Sequence, residues 1–363
     1  MTPRRVAVAM SGGVDSSIAA TVLLEQGWEV VGLTMQIWPR EEPEKVPPEL
    51  RGCCGLDAVD SARRVASALG IRHYVLNLRD PFERLVIEPF CDAYAEGRTP
   101  NPCIRCNTFV KFGPLLDRAR EIDTSHLATG HYARIDYDES RHRWRLLRGV
   151  DETKDQSYSL YGLTQEQLSF ALFPVGELTK EEVRKRARQL GLASAKRPES
   201  QEICFLWGES YRDYLARHRP EVVQPGPIVD RSGKQVGRHR GVAFYTIGQR
   251  QGLRVATGRP VYVIGIDVEE NRLLVGTEEE AQARGLVMGD VNYVSLPSLP
   301  AGGAELSAKI RSTGAPAPCL AKPTECGVQL DFAKPQWAVS PGQAAVCYDG
   351  EAVALGGTIE SDY

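Results

Sequence analysis

The chain has 363 residues, 42% of them hydrophobic and 25% charged, with a formal net charge of −3. That length allows a sizeable core and two or three domains. The charge gives no overall basic signature of nucleic-acid binding, although a local basic patch would be enough for it. No apolar run reaches membrane-spanning length, and Arg4 and Arg5 lead straight into a strand-like stretch with no secretory pattern, so no membrane contact and a cytoplasmic location are expected. The nine cysteines (53, 54, 91, 103, 106, 204, 319, 326 and 347) read as thiols, ligands or nucleophiles rather than as a disulfide framework.

In chain order, Val6 to Ala9 reads as a short buried strand, and Ile18, Val22 and Leu23 as one face of a helix that stops at Gly27. Glu29 to Met35 is a second strand, followed by a Pro-rich loop with Pro39, Pro43, Pro47 and Pro48. A helix from about Asp57 to Gly70, a strand at Tyr74 to Leu76, and helices around Phe82 to Phe90 and Phe112 to Ala119 come next. His126 to Thr129 is a fourth strand. Repeated βα units predict a doubly wound parallel sheet with ligands at the carboxyl ends of its strands. Arg134 to Tyr137 pairs with Trp144 to Leu147 as a hairpin. Thr164-x-x-Gln167 and Thr179-x-x-Glu182 are capping boxes that open two helices, the second ending at Gly191. From about residue 206 helices fade and short β-type runs take over. Val261 to Ile266 and Leu273 to Val275 form a hairpin, and the alternating runs from 281 onward predict a small barrel or sandwich. The expected division is 1–206, an α/β domain; 207–280, a small β-rich domain; and 281–363, a C-terminal β-barrel. The basic clusters at Arg141-His142-Arg143, Arg184-Lys185-Arg186 with Arg188, and Arg238-His239-Arg240 read as solvated faces.

Between the first strand and helix stands Met10-Ser11-Gly12-Gly13-Val14-Asp15-Ser16-Ser17. Its glycines allow a tight turn that exposes backbone N–H groups, its serines add hydroxyl donors, and the helix N-terminus adds a positive end, all of which suit a phosphate. No Gly-Lys-Ser/Thr follows, so it is not a Walker loop. It resembles the pyrophosphate loop of the ATP-pyrophosphatase group, which cleaves ATP to AMP and pyrophosphate.

Three cysteines stand out. Cys103 and Cys106 form a C-x-x-C pair expected on a loop, and Cys204 lies in Glu199-Ser200-Gln201-Glu202-Ile203-Cys204-Phe205. Such a pair binds metal, forms a redox disulfide or supplies a nucleophile, and Arg98, Arg105 and Lys111 would favour its thiolate. A structural zinc site lacks its second pair of ligands, since Cys53 and Cys54 are adjacent. Cys91, Cys319, Cys326 and Cys347 read as small core residues. Lys154-Asp155-Gln156-Ser157 reads from composition as a solvated loop capping the next helix. His131, after Gly130, is either a ligand contact or a hydrogen-bonded turn histidine.

Several strings then stand in the order found in the bacterial tRNA-specific 2-thiouridylase (MnmA) family, which the chain resembles over nearly its whole length. They are Ser11 to Ser16, Arg98 to Pro102 with Cys106-Asn107, Gly130 to Arg134, Leu147 to Asp151, Lys154 to Tyr158, Ser200 to Phe205, Tyr245 to Arg250, and Ser340 to Ala344. The resemblance implies an enzyme that replaces the C2 oxygen of the wobble uridine by sulfur, using ATP with Mg2+ to adenylate that oxygen and releasing AMP and pyrophosphate. It implies ATP contacts at Ala9, Met10, Ser11, Gly12, Gly13, Val14, Asp15, Ser16, Met35 and Gly130. It also implies that Asn101, Pro102 and Cys103 face the target base, turned out of the anticodon stack, and that His131, Lys154, Asp155, Gln156, Arg311, Ser312 and Gln343 meet tRNA. The partners are then tRNA and a sulfur donor protein or sulfide, with a monomer expected.

In the persulfide scheme of that family Cys204 carries the sulfur and Cys106 completes the step, leaving a Cys106–Cys204 disulfide. Position 103 is usually Asp in the best-known members and is Cys here. That gives a possible metal set of Cys103, Cys106 and Cys204, which leads to the expectation of a 4Fe-4S cluster, with a cysteine persulfide and no cluster as the alternative. Ser312-Thr313-Gly314 after Arg311 also departs from the usual aromatic-polar run. The competing readings are another ATP pyrophosphatase, such as a tRNA lysidine synthetase or an amide-forming synthetase, and a non-catalytic tRNA-binding or sulfur-carrier module.

Overall fold

The structure, a computed structural model, describes residues 4–37, 56–192, 203–206, 208–255 and 258–363. The Pro-rich stretch with Cys53 and Cys54, and Glu199 to Glu202 ahead of Cys204, lie outside the described residues. The chain forms two compact units. The first is Met1–Val86, Cys103–Gly208 and Glu351–Val353; the second is Ile87–Pro102, Glu209–Gly350 and Ala354–Tyr363.

The first unit runs β1 (Arg5–Ala9), α1 (Val14–Glu25), β2 (Glu29–Gln36), α2 (Leu56–Ala68), β3 (Arg72–Asn77) and α3 (Arg79–Phe82). The chain continues through a π-helical stretch at Glu83–Ile87 into α4 (Glu88–Ala95), which belongs to the second unit, and returns at α5 (Pro102–Cys106). A π-helical stretch at Asn107–Leu115 leads to α6 (Leu116–Glu121). Then come β4 (His126–Ala128), the hairpin β5 (Ala133–Asp138) and β6 (Arg143–Arg148), α7 (Gln165–Phe170), β7 (Ala171–Leu172) and α8 (Lys180–Gln189).

The sheet is parallel, in the order β3-β2-β1-β4-β7. Val6, Ala7 and Val8 are all fully buried, as expected for a parallel strand covered on both faces. Val6 and Val8 pack with Ile18 and Leu23 of α1, Val65 of α2 and Val183 of α8. Strand order reverses at β1. The loops leaving β1 and β4 therefore lie side by side at the carboxyl edge, where a doubly wound sheet opens its crevice.

Helix stops and starts follow local chemistry. Gly27, Gly70 and Gly191, past the ends of α1, α2 and α8, all have φ between 64° and 81°. Both capping boxes form: Thr164 accepts from the Gln167 amide, Thr179 from that of Glu182, and each N3 side chain reaches back.

The second unit adds α9 (Tyr211–His218) and β8 (Gly226–Val229), β9 (Gln235–His239), β10 (Tyr262–Asp267) and β11 (Arg272–Gly276), whose sheet order is β10-β11-β8-β9. It continues with β12 (Gln282–Tyr293), β13 (Ala304–Lys309), β14 (Ala317–Thr324), β15 (Gly327–Trp337), β16 (Ala344–Asp349) and β17 (Ala352–Asp362). These last strands run in the order β12-β15-β14-β13-β16-β17, and β17 pairs back onto β12 to close a barrel. Leu286, Met288, Leu330, Cys347, Leu355 and Ile359 fill it.

Two expectations need correction. The C-x-x-C pair lies on a helix: Pro102, preset for a first helical turn, starts α5, and the helix runs on through Asn107. Helices fade past 206 as expected, the described residues there keeping one α-helix, α9, which Ser210 caps by accepting from the Asp213 amide while Tyr214 and Leu215 bury. Cys326 is exposed in the turn between β14 and β15, whereas Cys91, Cys319 and Cys347 are buried as expected.

Candidate active site

Between β1 and α1 the loop folds over its own hydroxyls. The Ser16 and Ser17 hydroxyls donate to the Gly13 carbonyl, at 3.2 and 2.8 Å, and the Ser11 amide donates to Ser16 Oγ at 3.3 Å. Gly12 has φ +73°, and a Cβ there would stand 2.6 Å from the Ala58 carbonyl oxygen, so α2 packs directly on the loop. Ser61 of α2 donates to the Gly12 carbonyl at 3.0 Å. No side chain caps α1. Its first-turn N–H groups, which have no intrahelical acceptor, thus remain for an incoming anion. Met10 is buried and held through its backbone: its amide donates to Leu33 and its carbonyl accepts from the Thr34 hydroxyl, both at 2.7 Å.

Gly130, at the end of β4, meets this loop. A Cβ on it would lie 2.6 Å from the Ser16 nitrogen and 2.7 Å from the Asp15 carbonyl carbon, so only glycine fits. Asp15 does not face the crevice alone. Its carboxylate accepts from Tyr132 Oη at 2.6 Å and from Lys180 Nζ at 2.8 Å on each oxygen.

The residues after Gly130 lead to the cysteines. Gln156 Oε1 accepts from the Tyr132 amide at 3.0 Å and from His131 Nδ1 at 3.1 Å. With Nδ1 donating, His131 Nε2 is an acceptor, and Lys111 Nζ lies 3.3 Å from it. Lys111 also donates to Asn107 Oδ1 at 2.8 Å, while Asn107 Nδ2 donates to the Ser159 carbonyl and so fixes that amide. Burial, then the Lys111 cation, lowers the His131 pKa to about 3, so the ring stays neutral.

Cys103, Cys106, Cys204 and Lys111 share one electrostatic environment. Burial first, helped by Cys204, raises the Cys103 thiol, and Lys111 opposes that. Cys103 nonetheless keeps solvent access. Burial pushes Cys106 up to about 12, against Lys111 and with Cys204 and Cys103 adding to the rise. Cys204 opens a 3-10 turn whose Phe205 packs edge-on against Phe82, ring centroids 6.0 Å apart. Among the described residues no three His, Cys, Asp or Glu side chains are grouped as a metal ion requires. Of the expected set of Cys103, Cys106 and Cys204, the first two sit one turn apart on α5, and the third comes from a separate segment within electrostatic reach of both. None of the described cysteines is in a disulfide.

Three family profiles cover the chain: a tRNA methyl transferase HUP domain at residues 4–208, a tRNA methyl transferase PRC-barrel domain at 212–277 and an aminomethyltransferase beta-barrel domain at 283–359. The tRNA-specific 2-thiouridylase MnmA of Heliobacterium modesticaldum is 52% identical over 98% of this chain and 92% of that protein. The enzyme of the same name from Moorella thermoacetica is 51% identical over 98% of this chain and 99% of its own length. The chain belongs to the tRNA-specific 2-thiouridylase MnmA family. Among solved structures, the U34-tRNA thiolase NcsA from Methanococcus maripaludis with its 4Fe-4S cluster is similar with a TM-score of 0.36 and 19% identity, over 61% of this chain and 69% of that one.

Within this MnmA-family fold the remaining sequence-derived residues separate into groups. Asp155 is a structural cap: it accepts from the Gly149 and Ser157 amides and the Ser157 hydroxyl, at 3.0 to 3.2 Å. Gln156 orients His131, and Lys154 is half-buried beside them. Met35 is half-buried near the end of β2. Asn101 and Pro102 belong to the second unit, at the end of a strap in which the Thr99 amide donates to the Pro341 carbonyl at 2.8 Å and the Thr99 hydroxyl to that of Thr246 at 3.3 Å. Arg311, Ser312 and Gln343, also of the second unit, line a cavity of about 760 Å³ together with Tyr211, Arg212 and Trp337. The Arg311 guanidinium lies 5.0 Å from the Trp337 ring centroid, and that of Arg212 5.0 Å from the Tyr211 ring.

Sequence reasoning missed Tyr132 and Lys180 as partners of Asp15, whereas Lys111, expected beside the cysteines, is found there and also bonds Asn107. Lys180 had a local signal. The Thr179 capping box sets it at the first position of a helix, where a cation opposes the dipole and needs a reason to be.

Proposed function

We propose that this chain is a tRNA 2-thiouridylase that replaces the C2 oxygen of the wobble uridine by sulfur, converting ATP to AMP and pyrophosphate. The observation that carries the reading is the hydrogen-bonded path from the Ser11–Ser16 loop to the thiols: Asp15 to Tyr132, Tyr132 to Gln156, Gln156 to His131, His131 to Lys111, beside Cys103 and Cys106. An adenylating loop and a sulfur chemistry are thereby joined within one unit.

In this reading Ala9 to Ser16, Met35 and Gly130 hold ATP, its phosphates on the first-turn amides of α1. Mg2+ arrives bound to those phosphates. The uridine C2 oxygen attacks the α-phosphorus and pyrophosphate leaves. Asn101, Pro102 and Cys103 face the turned-out base, while His131, Lys154 and Gln156, and separately Arg311, Ser312 and Gln343, contact tRNA. The paired guanidinium and aromatic planes beside Arg311 suit unstacked nucleotides.

Sulfur transfer uses thiols. A donor leaves a persulfide on Cys204. The Cys106 thiolate attacks Cys204 Sγ, the Cys106–Cys204 disulfide forms, and the expelled sulfide displaces AMP from C2. An external dithiol then reduces the disulfide. These steps use thiols alone, and a 4Fe-4S cluster on Cys103, Cys106 and Cys204 is the alternative route; iron and acid-labile sulfide measured after anaerobic purification separate the two. Domain limits at 206 and 280, a monomeric state and a cytoplasmic location belong to the same proposal. In support, the profile matches break near those limits, and no helix among the described residues is long and apolar enough to cross a membrane.

The test is mass spectrometry of tRNA nucleosides from cells with and without the gene, alongside Cys204→Ala enzyme in vitro. Loss of 2-thiouridine derivatives in the first is expected. In the second, thiolation should fall by about 10³-fold or more while tRNA-dependent pyrophosphate release continues. A Cys204→Ala enzyme that still thiolates would refute the sulfur route, and unchanged nucleosides would refute the function.

A further inference from the structure

Lys180 is the first residue of α8 and is 8% exposed. A cation opposes the dipole at a helix N-terminus, and a buried ammonium needs a counter-charge. Asp15 meets both requirements: each of its carboxylate oxygens is 2.8 Å from Lys180 Nζ. The Tyr132 hydroxyl donates to the same carboxylate at 2.6 Å, and the Tyr132 ring lies 5.5 Å from the ammonium. The α8 amide of Lys180 is itself tied to Asp151 Oδ2 at 3.0 Å, so the side chain starts from a fixed point.

Asp15 stands in the first turn of α1, the turn whose amides the phosphate reading uses. A carboxylate there suits the helix dipole but repels a polyphosphate. We propose that Lys180 is a positioning residue for the nucleotide: it neutralises and fixes Asp15, so that the Ser11–Ser16 loop presents its amides to the ATP phosphates with no unpaired negative charge beside them. This rests on the reading of that loop as the ATP site. Lys180 acts through Asp15 and need not touch ATP.

Charge rescue tests it. ATP binding is measured by equilibrium dialysis in EDTA, at low and high salt, for wild type, Lys180→Met, Lys180→Arg and the double variant Asp15→Asn/Lys180→Met, with thermal unfolding of each. Lys180→Met should bind ATP about tenfold more weakly, and less so at high salt. Lys180→Arg should keep most of the affinity. The double variant should return to within about threefold of wild type. A purely structural role would lower the melting temperature without that rescue. Should Lys180→Met fail to fold, the double variant, which leaves no charge unpaired, carries the test. ATP affinity unchanged in Lys180→Met overturns the proposal, as does a double variant at least tenfold weaker than wild type, since Lys180 would then bind phosphate itself. Wild-type protein that binds no ATP at all sinks the loop reading first.

Discussion

At Cys106 burial outweighs the nearby Lys111 cation and pushes the side chain up to about 12, so the resting site holds a thiol. His131 shows the same physics with the opposite sign. Burial and Lys111 hold its folded pKa near 3, whereas the unfolded chain titrates at the ordinary 6.5. The unfolded state therefore binds more protons between those values. The neutral ring's contribution to stability is fully present above pH 6.5 and is lost as pH falls toward 3. Replacing His131 by Asn should flatten the acid limb of the curve of unfolding free energy against pH, measured by urea titration between pH 6.5 and 3. An equally steep limb in the variant would place the proton uptake elsewhere. Because the ring is neutral at physiological pH, it offers Lys111 an acceptor and supplies no charge of its own to tRNA.

Among the elements, the strand-turn-helix at β1 and α1 works because two neighbours close on it. Ser61 of α2 holds the Gly12 carbonyl, and Gly130 at the end of β4 lies against the backbone of Asp15 and Ser16. Gly130→Ala puts a methyl 2.6 Å from the Ser16 nitrogen, which a backbone contact cannot yield to cheaply. The KM for ATP should rise by about tenfold or more, with a fall in melting temperature of several degrees. Unchanged ATP kinetics would mean that β4 does not shape the loop. The π-helical stretch at Asn107–Leu115 does comparable work for the cysteines. It starts directly after Cys106 and places Asn107 and Lys111, four residues apart, against His131. Its backbone leaves helical geometry at Phe112 and Gly113, just before Pro114.

For the molecule as a whole, the barrel of the second unit depends on its last strand. β17 pairs with β12 from Tyr293↔Leu355 to Leu286↔Asp362, and Leu355 and Ile359 belong to the core it seals. Deleting Ala354–Tyr363 would open β12 and β16 as unpaired edges and uncover Leu286 and Met288. The truncated protein should bind the dye ANS strongly and elute as aggregates in size-exclusion chromatography. A monomeric, dye-silent truncation would show that the barrel stands without its closing strand. Buried Cys319 and Cys347 in this core have their thiols hydrogen-bonded to each other, far from any need for the sulfur route.

What the sequence determined by itself is local. Gly-Gly between an apolar strand and a helix face, the two capping boxes and the stops at Gly27, Gly70 and Gly191 are decided by backbone preferences within a few residues, and they were legible. The resemblance carried the family, because its motifs keep their order whatever the fold does with them. Tertiary structure decided the rest. The strands β14 and β17, with prolines in one and a Gly356-Gly357 pair in the other, become strands only through pairing with distant partners. The helical setting of Cys103 and Cys106 depended on Pro102 starting a helix that a π-helical stretch then continues. Lys180 and Asp15, 165 residues apart, have no local reason to meet. Only the parallel order of β1 and β4, and α8 packed against α1, bring that ammonium to the loop, and a charge buried by long-range packing leaves no periodic trace in the sequence.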